Sequence, residues 1–234
     1  MDTKVFLRIG VWFSQMSDEK TLKQENLRYV QAYTIFLVVT FSWLVQGLSV
    51  EQVLNSANTV NDWLERLLSA TFFAAIAYIA TIILSGFLPT RLKYILVFWR
   101  IKHALPGHRA FSRLMDQDPR IDANALVERY GPLPHHPKMQ NHLWYRIYKE
   151  HEIHRTVLDA QKNFLLMREV TAITSTLIPV FSLISLWAAP DWKTFSFYIF
   201  VLALLVVITA TAGRNYGERL VLNVMAAASV QRCS

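Results

Sequence analysis

Charge is missing from four stretches of this 234-residue chain. Asp, Glu, Lys and Arg are absent from residues 29–50, 67–90, 170–190 and 194–213. Each window is long enough to cross a hydrocarbon layer about 30 Å thick, which takes about 20 helical residues. Charge is also sparse overall, at 18% of residues against about 25% in soluble domains. A single cysteine, Cys233, excludes an internal disulfide. The chain has no G-x-x-x-x-G-K-[ST] loop, no G-x-G-x-x-G turn and no spaced cysteine pair, so nucleotide hydrolysis and thiol chemistry find no support. The uncharged windows do not alternate in polarity over about 10 residues, which argues against β-barrel strands. Near the N-terminus Arg8 interrupts a short apolar stretch and no small-residue cleavage site follows, so no cleavable signal peptide is expected.

Hydrophobic residues make up 53% of the chain, and their grouping predicts an all-α, polytopic membrane protein. Four transmembrane helices are expected, with a helical cytoplasmic insert between spans two and three. The expected divisions are an N-terminal segment (1–28), a first transmembrane hairpin (29–89), the insert (90–169), a second hairpin (170–213) and a C-terminal helix (214–234). Of the 24 Lys and Arg, 22 lie in the N-terminal segment, in the insert or after Gly213. The positive-inside rule assigns those parts, and both termini, to the cytoplasm. Trp43, Trp63, Trp187 and Trp192 fall near the outer boundary and Tyr29, Trp99 and Tyr216 near the inner one, as aromatic belts do. The net charge of +7 is then mainly a matter of topology, and direct nucleic-acid binding is not expected.

No ionisable side chain lies inside the four windows, which argues against a proton relay or voltage sensor. Small residues mark helix packing or self-association instead. Ala70 and Ala74 lie one turn apart in span two, and Gly213 with Gly217 forms a G-x-x-x-G at the inner end of span four. Pro179 stands mid-span in the third window and is a candidate hinge.

The insert holds all seven histidines, 14 of the Lys and Arg and 8 of the Asp and Glu. It begins with a run in which Arg91, Lys93, Arg100 and Lys102 alternate with apolar and aromatic residues including Trp99. This reads as a basic amphipathic helix lying in the interface, its partners anionic headgroups. Asp122 is a candidate N-cap for a short helix ending near Gly131. From Lys138 neither Gly nor Pro occurs until Pro179, which predicts one helix of about 40 residues running from cytoplasm into span three. Ile153, Val157, Ala160, Phe164 and Met167 follow a 4-3-4-3 spacing on it, so one face should be covered by another helix or subunit.

The histidines invite comparison with chemistry. His103 and His108, the pair His135-His136, and His151 with His154 resemble the His boxes of membrane-bound desaturases. Those enzymes, however, have at least eight histidines and a box after the last spans, and here no His follows His154. His151 and His154, with Glu150 as a carboxylate, form the candidate metal set. Arg146 and His151 make an R-x4-H pattern similar to that of the HEPN ribonucleases, where Arg and His meet across a dimer. Arg129 to His135 fits the looser R-x5-H form, which shows how readily such patterns arise in an Arg- and His-rich segment. The run from Asn141 through Trp144, Tyr145 and Tyr148 to Lys149 can stack bases or clamp phosphate, although its spacing equally suits helix packing. No cofactor is expected.

The phrases Leu105-Pro-Gly-His-Arg-Ala-Phe-Ser112, Gln140-Asn-His-Leu-Trp-Tyr-Arg-Ile-Tyr-Lys149 and Asn163-Phe-Leu-Leu-Met-Arg-Glu169 look like the cytoplasmic part of small bacterial membrane proteins. Four spans around one helical insert resembles the membrane components of anti-phage systems such as Kiwa and some retron-linked effectors. That resemblance implies a non-enzymatic, oligomeric sensor or effector in the bacterial inner membrane. A cytosolic protein partner would act on the insert, and a pore or membrane disruption would follow. It carries over no catalytic or binding residue. The alternatives are a membrane-tethered hydrolase or ribonuclease using Arg146 and His151, and an anchor that recruits a cytosolic enzyme.

Overall fold

A computed structural model describes residues 24–41, 79, 81–84, 86–188 and 192–230, with backbone alone for 185–188. Ala70 and Ala74, Trp43 and Trp63 lie outside these residues. Every regular element among the described residues is helical. Helix α1 covers 24–41 and α2 is Thr90–Phe98. A 3-10 turn (Pro106–Arg109), a π-helical turn (Ala110–Leu114) and a second 3-10 turn (Met115–Gln117) follow. The remainder comprises α3 (Ala123–Tyr130), α4 (Pro137–His151), α5 (Arg155–Ala188) and α6 (Trp192–Val230).

Helices α5 and α6 form the axis of the molecule and pack along each other. At about 1.5 Å per residue they are about 51 and 58 Å long, well beyond the thickness of a hydrocarbon layer. Both are long and apolar enough to cross a membrane, through Arg155–Ile184 in α5 and Trp192–Val230 in α6. One core lies beside their uncharged halves. There Val30, Leu37 and Phe41 of α1 meet Val170, Ile173, Leu177 and Phe181 of α5 and Tyr198 and Leu202 of α6. The Phe41 and Phe181 rings stack with centroids 4.2 Å apart. Several polar side chains in this core are paired across the helices. Tyr33 and Thr174 hydroxyls lie 2.8 Å apart, Thr171 donates to Thr209 at 3.1 Å, and Tyr198 donates to the Leu37 carbonyl at 3.1 Å. Outward, the same helices expose Phe36, Val39, Leu183, Phe197, Phe200, Leu204 and Ile208.

The second core is built on the charged halves of the same two helices. Val157, Ala160 and Phe164 of α5 and Leu220, Val221, Val224 and Met225 of α6 pack against Val97 and Phe98 of α2. Phe111, Leu114, Leu126 and Ile147 complete it. Asp122 caps α3 as its position predicts, accepting from the backbone N–H groups of Asn124 and Ala125 at 2.9 and 3.2 Å. Gly131 ends that helix at φ 82°, a left-handed conformation that a side chain would strain.

The predicted rod from Lys138 into span three is not continuous. α4 ends at His151, and α5 restarts at Arg155 after a turn closed by His154 N–H on the His151 carbonyl at 3.0 Å. No residue here forbids a helix. The break follows from tertiary packing, because α4 and α5 both bury residues against α6 and a straight continuation would carry α4 away from it. The stripe loses its first member accordingly: Ile153 lies in the turn, 78% exposed, while Val157, Ala160 and Phe164 are buried. Helix α5 continues across Pro179, whose ring removes the N–H that would have met the Ser175 carbonyl.

Gly213 and Gly217 let α2 approach α6 within the chain. A Cβ on Gly213 would lie 3.1 Å from Val97 Cγ1, and one on Gly217 would lie 2.8 Å from Phe98 Cζ and 3.3 Å from the Phe164 ring. Gly217→Leu should therefore lower the thermal unfolding midpoint of the detergent-solubilised protein by several degrees, since overpacking costs about 1–3 kcal/mol. Ala203→Leu, on the exposed face of the same helix, should leave the midpoint unchanged.

Candidate functional site

Each charge-free stretch ends close to where the two cores meet, and there three ionised side chains are brought together. Glu169, the last charged residue before the uncharged part of α5, accepts from Lys93 Nζ at 2.5 Å through one oxygen. Its other oxygen accepts from the Arg168 guanidinium at 2.7 and 3.2 Å. Arg168 also donates to the Tyr94 hydroxyl at 3.3 Å and lies 5.5 Å from the centre of that ring. All three charged side chains are largely removed from water, at 8% exposure for Lys93, 10% for Arg168 and 18% for Glu169. One carboxylate thus serves two cations.

Lys93 is therefore buried in this junction and is not on the exposed face of a basic helix, where the sequence reading put it. Its spacing of four from Val97 puts both on the buried face of α2, and that periodicity carries the signal. The helix itself ends at Phe98, with Trp99 in a left-handed conformation (φ 52°). Arg91, Trp99, Arg100 and Lys102 are exposed. The Arg214 guanidinium stacks 5.0 Å from the Trp99 ring centre and donates to the Phe98 carbonyl at 3.2 Å, tying the end of α2 to α6.

Beside Arg168, a cleft of about 220 Å³ opens between α2, α4 and the α4–α5 turn. Tyr94, Trp144, Tyr148, Lys149, Glu152 and Arg168 contribute to its walls. Trp144 and Tyr148 stack at 5.6 Å, and Lys149 pairs with Glu152 at 2.8 Å. The indole Nε1 of Trp144 is buried without a hydrogen-bond partner. Behind the cleft, Gln140 pins the π-helical turn to α4. Its Oε1 accepts from the N–H groups of Phe111 and Ser112 at 3.1 and 3.2 Å, and its Nε2 donates to the His135 carbonyl at 2.8 Å. Sequence reasoning missed both Gln140 and the Glu169 junction, because neither belongs to a local motif.

The candidate metal set is not assembled. Glu150 accepts from the Tyr130 hydroxyl at 2.7 Å and pairs with Arg129 at 3.4 Å. Burial and that carboxylate push the Tyr130 phenol up to about 12. His154 is exposed and lies 3.0 Å from the Thr156 hydroxyl. Among the described residues no three His, Cys, Asp or Glu side chains converge in a metal-binding arrangement. Arg146 and His151 are likewise apart: five residues on one helix separate them by about 140°, and Arg146 is exposed while His151 is buried. His103 and His108 do meet, with ring centroids 4.8 Å apart.

No protein family, curated protein or solved structure matches the chain.

Two expectations follow. Glu169→Leu should destabilise the protein by about 3–5 kcal/mol, the cost of removing one member of a buried ion pair. Lys93→Met should cost less, because Arg168 keeps its carboxylate; thermal unfolding of the two variants compares them. The second concerns acid. Burial, then the neighbouring Arg129, holds the His151 imidazole below its usual value, and burial does the same at His108. The folded protein then binds fewer protons than the unfolded chain as pH falls below about 6.5, so stability present above that pH is lost below it. The unfolding midpoint should fall between pH 7.5 and 5.5, and His151→Leu should flatten that dependence.

Proposed function

We propose that this chain is a non-enzymatic integral membrane protein of a bacterial inner membrane, a sensor or effector with four spans and both termini inside. Its helical insert takes up a cytoplasmic protein or an anionic signal and alters the packing of the membrane bundle. The observation that carries this reading is that the two cores share α5 and α6 without an intervening loop. A displacement of α4 or of the α4–α5 turn bears on α5 and on Arg168, and from there on the Glu169 junction at the start of the apolar half. Two-state packing of such an element is what coupling between separated sites requires.

Three features support four spans. The inner ends of all four uncharged windows come together: Asn26 and Val30 beside Gly86, Thr90 and Glu169, and Gly213 beside Met167 and Val97. The large exposed apolar side chains of α1, α5 and α6 cluster in those windows. The charges lie beyond them, in the sense the positive-inside rule gives to the cytoplasm. The resemblance to anti-phage membrane components points the same way, with a pore or membrane disruption as the output and a homo-oligomer as the working form. A tethered hydrolase is the weaker reading, since the surface of His151 that catalysis would need is covered.

Reconstitution tests the proposal. Vesicles loaded with a self-quenched dye and containing the purified protein should release dye when cytoplasmic extract from phage-infected cells is added. Glu169→Gln should reduce release several-fold while leaving the protein in the vesicles. Arg146→Ala combined with His151→Ala should preserve release; its loss without loss of folding would favour the hydrolase. Absence of release with the signal present would remove the pore and leave the anchor.

A further inference from the structure

The turn that follows α2 holds both of the non-glycine residues with left-handed backbone among the described residues, Trp99 and His103, each at φ 52°. Bulky side chains seldom adopt this conformation, and they keep it where the surroundings hold them there. Arg214 holds one end of the turn, its guanidinium stacked 5.0 Å from the Trp99 ring centre and donating to the Phe98 carbonyl at 3.2 Å. All five residues from Trp99 to His103 are exposed, Trp99 at 55% and Ile101 at 74%. Two large apolar side chains thus alternate with Arg100 and Lys102 on the outside of the molecule.

The depth of this turn follows from what its helix touches. Thr90, at the start of α2, lines a cavity with Asn26, Val30 and Glu169, where the first and third uncharged stretches have their charged ends. At the other end of α2, Val97 lies against Gly213 and the Phe98 carbonyl accepts from Arg214, the last uncharged residue and the first charge on α6. Met167, two residues before Glu169, also packs on Gly213, so both ends of α2 share one level. The nine-residue helix lies across the boundary between the uncharged and charged halves. The turn therefore projects at that boundary.

Its charge is of one sign. No Asp or Glu occurs from residue 66 to residue 115. Arg91, Arg100 and Lys102 are exposed and pair with no carboxylate among the described residues. Lys93 faces the bundle and takes no part. Tryptophan settles at the headgroup level of a bilayer, and Arg and Lys beside it attract anionic headgroups. A polyanion read through its phosphates alone would have no use for the exposed Trp99 and Ile101, whereas a lipid leaflet receives both.

We infer that the Trp99–Lys102 turn, with Arg91, is a docking surface for anionic phospholipid. Trp99 and Ile101 enter the headgroup layer, and the three cations gather anionic lipids around that point. The site rests on the membrane reading above and adds to it a preference for lipid of one charge at one place on the protein.

The test uses the full-length protein with Cys233→Ser and one new cysteine, at Ile101→Cys or at Phe200→Cys, carrying a nitrobenzoxadiazole label. Each is reconstituted in equimolar phosphatidylglycerol and phosphatidylcholine, with a nitroxide quencher attached to one lipid or to the other. At position 101 the phosphatidylglycerol quencher should be several-fold the more effective. At position 200, on the exposed apolar face of α6, the two should be equal. Arg91→Gln, Arg100→Gln and Lys102→Gln together should equalise them at position 101, with helical content unchanged by circular dichroism, and raised salt should weaken the preference. Equal quenching at position 101 with the cations present would overturn the lipid preference. Quenching at position 200 but not at 101 would overturn the docking surface alone. A label at 101 reached by neither lipid, yet shielded from aqueous iodide by added duplex DNA, would replace lipid with nucleic acid. Absence of lipid quenching at position 200 would overturn the membrane reading together with this site.

Discussion

Glu169 is held between Lys93 and Arg168 at the one level where the charged and uncharged halves of the molecule meet. A carboxylate and two cations removed from water are costly, and only close geometry with further hydrogen bonds makes the arrangement tolerable. The geometry fixes three things at once: the rotation of α2 about its axis, the depth at which the first turn of the apolar part of α5 begins, and the placement of Tyr94 against Arg168. Buried ion pairs are weak contributors to stability compared with apolar packing of the same volume. Their worth here lies in register, because a helix of uncharged residues slides along its neighbours at little cost and a buried ion triad does not.

The core of the charged halves depends on that register. Gly213 and Gly217 admit Val97 and Phe98 within ordinary contact of α6 only if α2 sits at one height. Phe98 and Tyr94 in turn bracket Phe164 of α5, with ring centroids 5.9 and 6.3 Å away. The Gln140 side chain then fastens the π-helical turn against α4. It supplies an acceptor for two N–H groups that the irregular backbone leaves without helical partners. This core is thus packed outward from the ion triad, each element seated on the one before.

Local patterns carried a good part of this into the sequence. Residues that act through their immediate neighbours were legible: Asp122 as a cap, Gly131 as the end of its helix, Val157, Ala160 and Phe164 as one buried stripe, and the third and fourth uncharged windows as parts of long apolar helices. The features that escaped are those decided by residues distant in the chain. The break after His151 comes from two helices competing for one surface of α6. Lys93 was read by its charge and not by its phase with Val97. Arg168 and Glu169 are 75 and 76 residues from Lys93, and nothing in either neighbourhood announces the pairing. Ile153 kept the right spacing and lost its place because the helix beneath it ended two residues earlier.

The sharing of α6 between the two cores also constrains how the chain is made. Residues 90–169 are synthesised well before Leu220, Val221, Val224 and Met225, yet those four side chains complete their core. Phe98, Phe111, Ile147 and Phe164 therefore stay partly uncovered during synthesis until residues 220–225 of α6 have been made and have met them. Completion of α6 and closure of this core are a single ordered event. A chain stalled before residue 220 would present an unfinished apolar surface to chaperones and proteases.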